Sequence, residues 1–273
     1  MQNRIGKRRI VITGAAGRIG AMLRQHLNRS SDYEFILLDH KRGNEPDIRV
    51  VDLSSYLTDW IELFEGVDTV IHLAGDPRPL APWKPLAAHN IEATINVFRA
   101  AARYKVSRVI FASSMQTMEG YRYTGRPVPA DAAPRPVSFY GASKLMGESI
   151  ARFFTEEHGV SAICLRIGNA QTDQSPPDPA WHHWAHYKLL SAEDLCQAME
   201  KAILAEGVPF AALPLVSDNE GMPWDLSETR RILGYSPAHG TAQSTPPLWM
   251  RFRQTLAWAY RRCFDPNWRA YWE

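Results

Sequence analysis

The apolar run Arg9–Thr13 leads without a break into Thr13-Gly14-Ala15-Ala16-Gly17-Arg18-Ile19-Gly20. A helical period comes next, with Ile19, Met22, Leu23 and Leu27 sharing one face. A strand that turns on three glycines straight into a helix leaves few folds open. Backbone N–H groups of such a turn, and the positive end of the helix behind it, converge on one spot that suits an anion. Gly14 would make the turn, Gly17 would let a bound group approach the backbone, and Gly20 would pack helix on strand.

The same alternation continues along the chain. Short runs recur at Glu34–Asp39, Ile48–Asp52, Thr69–Leu73, Arg108–Ser113 and Ala162–Ile167, continuously apolar as strands covered on both faces should be. Between them Ile91, Ile95, Phe98 and Ala102 share a helical face, and Phe139–Glu157 reads likewise through Leu145, Ile150, Phe153 and Phe154. The expected class is α/β, a Rossmann-type doubly wound parallel sheet. After Ile167 the texture changes. Asn169–Tyr187 is rich in proline and aromatics and reads as an irregular insert or lid. A helix is expected over Ser191–Ala205, a strand over Phe210–Val216 and a short helix over Ser227–Leu233, ended by Gly234. The Trp- and Arg-rich tail Pro246–Glu273 reads as an amphipathic helix docked on the body or on another subunit. Residues 1–168 would form the core. Residues 169–273 would add a small substrate lobe, lid and tail, with parts returning to the core in one compact unit.

Composition narrows the function classes. A net charge of +2 over 273 residues gives no support to a nucleic-acid or membrane-surface binder. The three cysteines, Cys164, Cys196 and Cys263, are far apart and form neither a disulfide framework nor a zinc spacing. His182 and His183 are neighbours with no carboxylate to complete a metal set. No run approaches the roughly 20 apolar residues of a membrane span. A reducing, cytoplasmic setting is expected.

Asp39 closes the second strand, about twenty residues beyond the glycine turn, where an acid accepts hydrogen bonds from both adenosine ribose hydroxyls and repels a 2′-phosphate. NAD is therefore favoured over NADP, with His40, Lys41 and Arg42 softening the preference. Asp52 would meet the adenine amino group and Leu53 cover the ring, unless Asp52 is simply a turn acid. His72-Leu73-Ala74-Gly75 would pass beneath the cofactor, with His72 a packed strand histidine. Tyr140 and Lys144 lie four apart on one helical face. A nearby ammonium lowers a phenol's pKa from its usual ~10, so this tyrosine could exchange a proton with an alcohol while a nicotinamide exchanges the hydride. Ser113-Ser114, leaving the fifth strand at the sheet's mouth, would hold the substrate oxygen.

Over roughly residues 8–237 the sequence resembles the extended short-chain dehydrogenase/reductase family, in its epimerase and dehydratase branch. The likeness is carried by TGAAGRIG, Asp39, Asp52-Leu53, HLAG at 72–75, Asn90-Ile91-Glu92-Ala93-Thr94, FASS at 111–114, YGASK at 140–144, LRIGN at 165–169 and ETRRILGYSP at 228–237. It implies Tyr140 as general acid/base, Lys144 as the group that tunes it and binds the nicotinamide ribose, and Ser114 as the second hydroxyl on the reacting oxygen. It also implies cofactor contacts from Gly14, Ala16, Gly17, Arg18, Ile19, Gly20, Asp39, Asp52, Leu53, Leu73, Ala74, Gly75, Asn90, Ser113 and Ile167, with Asn90 steadying the central helix. The nearest pattern is that of uronate dehydrogenase-like proteins, which oxidise the anomeric carbon of a sugar acid with NAD. The substrate end departs from them. Met115-Gln116 replaces Asn-His, Asn169 replaces serine, and their carboxylate-binding arginine has no clear counterpart. Arg78, Met115, Gln116, Asn169 and His182 are the substrate-side candidates, with Arg122, His183 and Lys188 as further cations for a carboxylate. The expected activity is net hydride transfer to or from a sugar, sugar acid or small polyol. An epimerase that returns the hydride, and a nucleotide-binding protein without chemistry, stand as alternatives. Met115-Gln116 cannot serve as a dehydratase's acid/base pair. The resemblance also implies a homodimer, formed through the helix carrying Tyr140 and the one before it.

Overall fold

Six of the apolar runs, together with Phe210–Leu215, become strands of one parallel sheet. The computed structural model describes residues 7–43, 45–56, 59–122, 124, 126–171, 183–241 and 256. The strands are β1 (Arg8–Thr13), β2 (Tyr33–Asp39), β3 (Arg49–Val50), β4 (Thr69–His72), β5 (Arg108–Ser114), β6 (Ser161–Ile167), β7 (Asn169–Ala170), β8 (Leu189–Leu190) and β9 (Phe210–Leu215). The helices are α1 (Arg18–Leu27), α2 (Trp83–Leu86), α3 (Ala93–Arg103), α4 (Phe139–His158), α5 (His183–His186), α6 (Ala192–Leu204) and α7 (Ser227–Leu233). The order across the main sheet is β3-β2-β1-β4-β5-β6-β9. Sequence order reverses between β1 and β4, and a crevice opens at the carboxyl ends there, where ligands of such sheets bind.

Successive strand residues point to opposite faces, and both faces are covered. Ile10, Ile12, Ile71 and Ile110 pack beneath Leu23 and Leu27 of α1 and Leu195 and Met199 of α6. Val11, Val70, Val109 and Phe111 pack beneath Val97 and Phe98 of α3 and Ala151 and Phe154 of α4. Ser138 caps α4 by accepting a hydrogen bond from the Gly141 N–H at 3.0 Å.

Three local expectations are corrected. The third run, expected over Ile48–Asp52, pairs only at Arg49–Val50, both exposed on the sheet edge; Asp52 instead bends back to accept from the Ser54 N–H and hydroxyl at 2.9 and 2.7 Å. The stretch read as wholly irregular after Ile167 contributes β7, which pairs in parallel with β8 to form a small second sheet. The helix expected to carry Ile91, Ile95, Phe98 and Ala102 on one face is preceded by a π-helical turn, Ala87–Glu92, which takes in Ile91. The wider turn brings Asn90 and Thr94 inward and leaves Ile91 and Ile95 half-buried. The tail from Pro246 lies outside the described residues, Leu256 apart. Among the described residues, no helix is long and apolar enough to cross a membrane.

An ion pair crosses the core. Arg166 of β6 donates to both oxygens of Glu148 on α4, at 2.9 and 2.8 Å, and both side chains are buried. Removing one member of a buried pair strands the other's charge. Arg166→Met is expected to cost about 3–5 kcal/mol, read as a lowered urea midpoint. Adding Glu148→Leu should recover most of the loss; no recovery would mean the pair is not the cause.

Candidate active site

The glycine turn forms the floor of the crevice. Gly14 adopts φ +71°, which favours glycine, and a Cβ there would lie 2.7 Å from the Ala74 backbone nitrogen. Gly17 precedes the first residue of α1, and its N–H donates to the Gly14 carbonyl at 3.0 Å. The first bond of α1 runs from Ala21 N–H to the Gly17 carbonyl. The first turn of α1, through Gly20, therefore lies ahead of the helix's own bonding, at its positive end. Gly17 and Arg18 are exposed at this rim, and Gly20 is buried against the turn. Asp39 at the end of β2 accepts from Ala16 N–H at 2.9 Å and from Lys41 N–H at 3.2 Å, while His40 Nδ1 lies 2.8 Å away. Lys41 and His40 occupy Oδ1, and Oδ2, which accepts from Ala16 alone, keeps a lone pair for a ribose hydroxyl at the edge of the cradle. A bound dinucleotide fits these residues: a lined but open turn for the pyrophosphate and an acid beside it for the ribose.

Across the crevice, Ser114 ends β5 and Tyr140 stands in the first turn of α4. The Ser114 hydroxyl lies beside the Tyr140 phenol, close enough to favour its ionised form. The Lys144 ammonium, one turn along α4, lies 5.9 Å from the Tyr140 ring centroid and 5.2 Å from that of Phe111. Gly75 closes the arrangement. A Cβ there would lie 2.9 Å from Asn90 Oδ1 and 3.4 Å from Lys144 Nζ, so the chain after β4 can run close past both. Burial lowers the Lys144 ammonium to about 8. The phenol departs from the sequence expectation: burial raises its pKa, the Ser114 hydroxyl works against that, and the Asp76 charge adds to it. Desolvation is the largest of these effects.

The chemistry of this crevice agrees with the likeness to known proteins. The pattern of the NAD dependent epimerase/dehydratase family matches residues 10–180. The chain belongs to that family. It is 32% identical to the NAD-dependent glucose-6-phosphate dehydrogenase of Haloferax volcanii, over 86% of this chain and 95% of that one. It is 32% identical to the uronate dehydrogenase of Pseudomonas putida, over 84% and 83%. The glucuronic acid dehydrogenase structure from Chromohalobacter salexigens superposes with a TM-score of 0.73 at 26% identity, covering 91% of this chain and 89% of that one.

Within the family's fold, several residues that the sequence placed at the cofactor have partners inside the protein. Ser113 donates its hydroxyl to Glu148 at 2.6 Å, which leaves Ser114 as the hydroxyl facing Tyr140. Asn90 spends its amide on Ser143 Oγ at 3.0 Å and on the backbone of Asp76, so it positions α4 and the loop. Leu53 is buried in the core, and Ile167 is buried at the end of β6. Leu73 and Ala74 are half-buried over the turn, with the Ala74 N–H donating to Thr13 Oγ1 at 3.2 Å. His72 is the packed histidine expected; burial, with the Lys144 charge, holds its pKa down at about 3.

The substrate-side candidates are less free than the sequence suggested. Met115 is buried in the core. Gln116 donates its N–H to Ser114 Oγ at 3.2 Å. Asn169 spends its amide on the Ala185 carbonyl at 3.0 Å. Arg78 grips Asp76 through Nε at 2.9 Å and Nη2 at 2.5 Å. Lys188 is buried against Glu119 at 2.6 Å, and Arg122 lies 3.7 Å from the same carboxylate. These acids could not be assigned from sequence, because Asp76 and Glu119 belong to segments without a fixed period. His182 and the His183 side chain lie outside the described residues.

Asp39 gives the clearest test of the cradle. Asp39→Ala should shift the ratio of NAD to NADP affinity toward NADP by at least tenfold, measured by fluorescence titration of each cofactor. An unchanged ratio would remove Asp39 from selectivity.

Proposed function

We propose that this protein is an NAD-dependent dehydrogenase that oxidises a hydroxyl-bearing carbon of a sugar, sugar acid or similar small polyol. The observation that carries the reading is that Ser114, at the carboxyl end of β5, and Lys144 both lie beside Tyr140. The oxidised nicotinamide would supply the hydride acceptor when bound; Lys144 would hold its ribose, and the first turn of α1 the pyrophosphate of the same cofactor. Ser114 fixes the substrate oxygen by a hydrogen bond, and Tyr140 Oη takes the hydroxyl proton. In the reverse direction the phenol returns that proton to the carbonyl oxygen, a role suited to a group kept protonated at neutral pH. The dehydrogenases to which the chain is similar match it over most of their length, which supports net oxidation over an epimerase's transient one. The reading includes a homodimer through α3 and α4, supported by the exposed Met146 and Phe153 on α4. It also includes a cytoplasmic setting, supported by the free, buried Cys164 and Cys196.

Incubation with NAD and a panel of aldoses and uronates should raise absorbance at the reduced-nicotinamide band, and silence across the panel would reject the reading. Tyr140→Phe should lower kcat by ~10²-fold or more with NAD affinity retained. The pH profile depends on the direction of the phenol's shift. A raised pKa means less phenolate at neutral pH, so oxidation should accelerate as pH rises into the alkaline range and reduction should slow. Equal rates from mildly acidic to clearly alkaline pH would exclude a titrating phenol from the slow step.

A further inference from the structure

The π-helical turn brings Asn90 and Thr94 against β4, and with them a buried polar chain links the two halves of the site. The Thr13 hydroxyl, at the end of β1, lies 2.7 Å from His72 Nδ1 and accepts from the Ala74 N–H. His72 Nε2 lies 3.1 Å from Thr94 Oγ1. Thr94 donates to the Asn90 carbonyl at 2.7 Å, Asn90 donates to Ser143 Oγ at 3.0 Å, and Ser143 donates to the Tyr140 carbonyl at 2.8 Å. Thr13, His72, Asn90, Thr94 and Ser143 are all buried.

Each hydroxyl has one proton, and that fixes every direction. The Thr94 proton is spent on the Asn90 carbonyl, so Thr94 Oγ1 must accept from His72 Nε2–H. His72 Nδ1 is then the bare nitrogen, and the Thr13 hydroxyl donates to it. The opposite tautomer would leave Thr94 Oγ1 facing a bare Nε2 with its own proton already spent on the Asn90 carbonyl, a fault that is costly for groups buried this deeply.

We infer that His72 is a positioning residue, held as the neutral Nε2–H tautomer, and that it couples the glycine turn that cradles the cofactor to the helix turn that carries Tyr140. The coupling runs through Thr13 and Ala74 on one side and through Thr94, Asn90 and Ser143 on the other. None of these bonds leaves the interior, so the arrangement sets the separation between cradle and phenol without touching substrate. The consequence for turnover rests on the dehydrogenase reading above; the tautomer does not.

Long-range ¹H–¹⁵N spectra of the full chain at pH 7 should show a protonated Nε2 and a bare Nδ1 for His72. A protonated Nδ1, or an imidazolium, would overturn the inference whatever the enzyme does. Thr94→Val keeps the volume but removes the acceptor. It should release the tautomer to a mixture and lower kcat at saturating NAD by about tenfold, the scale of a small misplacement of reacting groups. Thr94→Ser should restore both. A Thr94→Val protein with the wild-type tautomer and kcat would refute the coupling, as would Thr94→Ser failing to rescue. If the wild type oxidises no sugar, the dehydrogenase reading falls while the spectrum still decides the tautomer.

Discussion

A parallel sheet sends the carboxyl ends of all its strands to one edge, and the chemistry of this protein is assembled from the residues that stand there. Thr13, Asp39, His72, Ser114 and Ile167 are each the last residue of a strand. No two of these strands are joined by a short turn, so residues far apart in sequence are delivered to one crevice by backbone pairing alone. The side chains need only survive in that place, which is a question of burial and partners.

Helix α4 shows how severe that question is. Its buried face includes Ser143, Lys144 and Glu148, while Met146 and Phe153 are exposed. Each buried polar group carries a desolvation cost that a hydrogen bond or charge must offset. Ser143 is bonded to Asn90 and Tyr140, and Glu148 to Arg166 and Ser113. Lys144 answers with a lowered pKa beside two aromatic rings. Ala151 and Phe154 follow the usual rule in the second half of the helix, and the buried polar groups that depart from it fall where the site lies.

The strands and the glycine turn were legible in the sequence because both leave local marks: continuous apolar runs for the one, glycine spacing between strand and helix for the other. Tyr140, Lys144 and Ser114 could be found for a similar reason, since the first two share a helical face and the third closes a strand. The partner of each polar group left no such mark. The commitment of Ser113 to Glu148, of Arg78 to Asp76 and of Lys188 to Glu119 depends on contacts between elements. The direction of the Tyr140 shift was lost for the same reason. Spacing places an ammonium near a phenol, but only the packing around the phenol says how much water it has surrendered.

The widened turn at Ala87–Glu92 ties the length of the chain to the orientation of the two segments it joins. A regular helix turns by about 100° per residue, so deleting one position there would swing the preceding segment by that angle around the axis. Either α3 would keep Val97 and Phe98 in the core and point Asn90 away from Asp76, or Asn90 would stay and the apolar stripe would turn outward. One surplus residue thus lets a single helix serve two masters, the hydrophobic interior at one end and the crevice at the other.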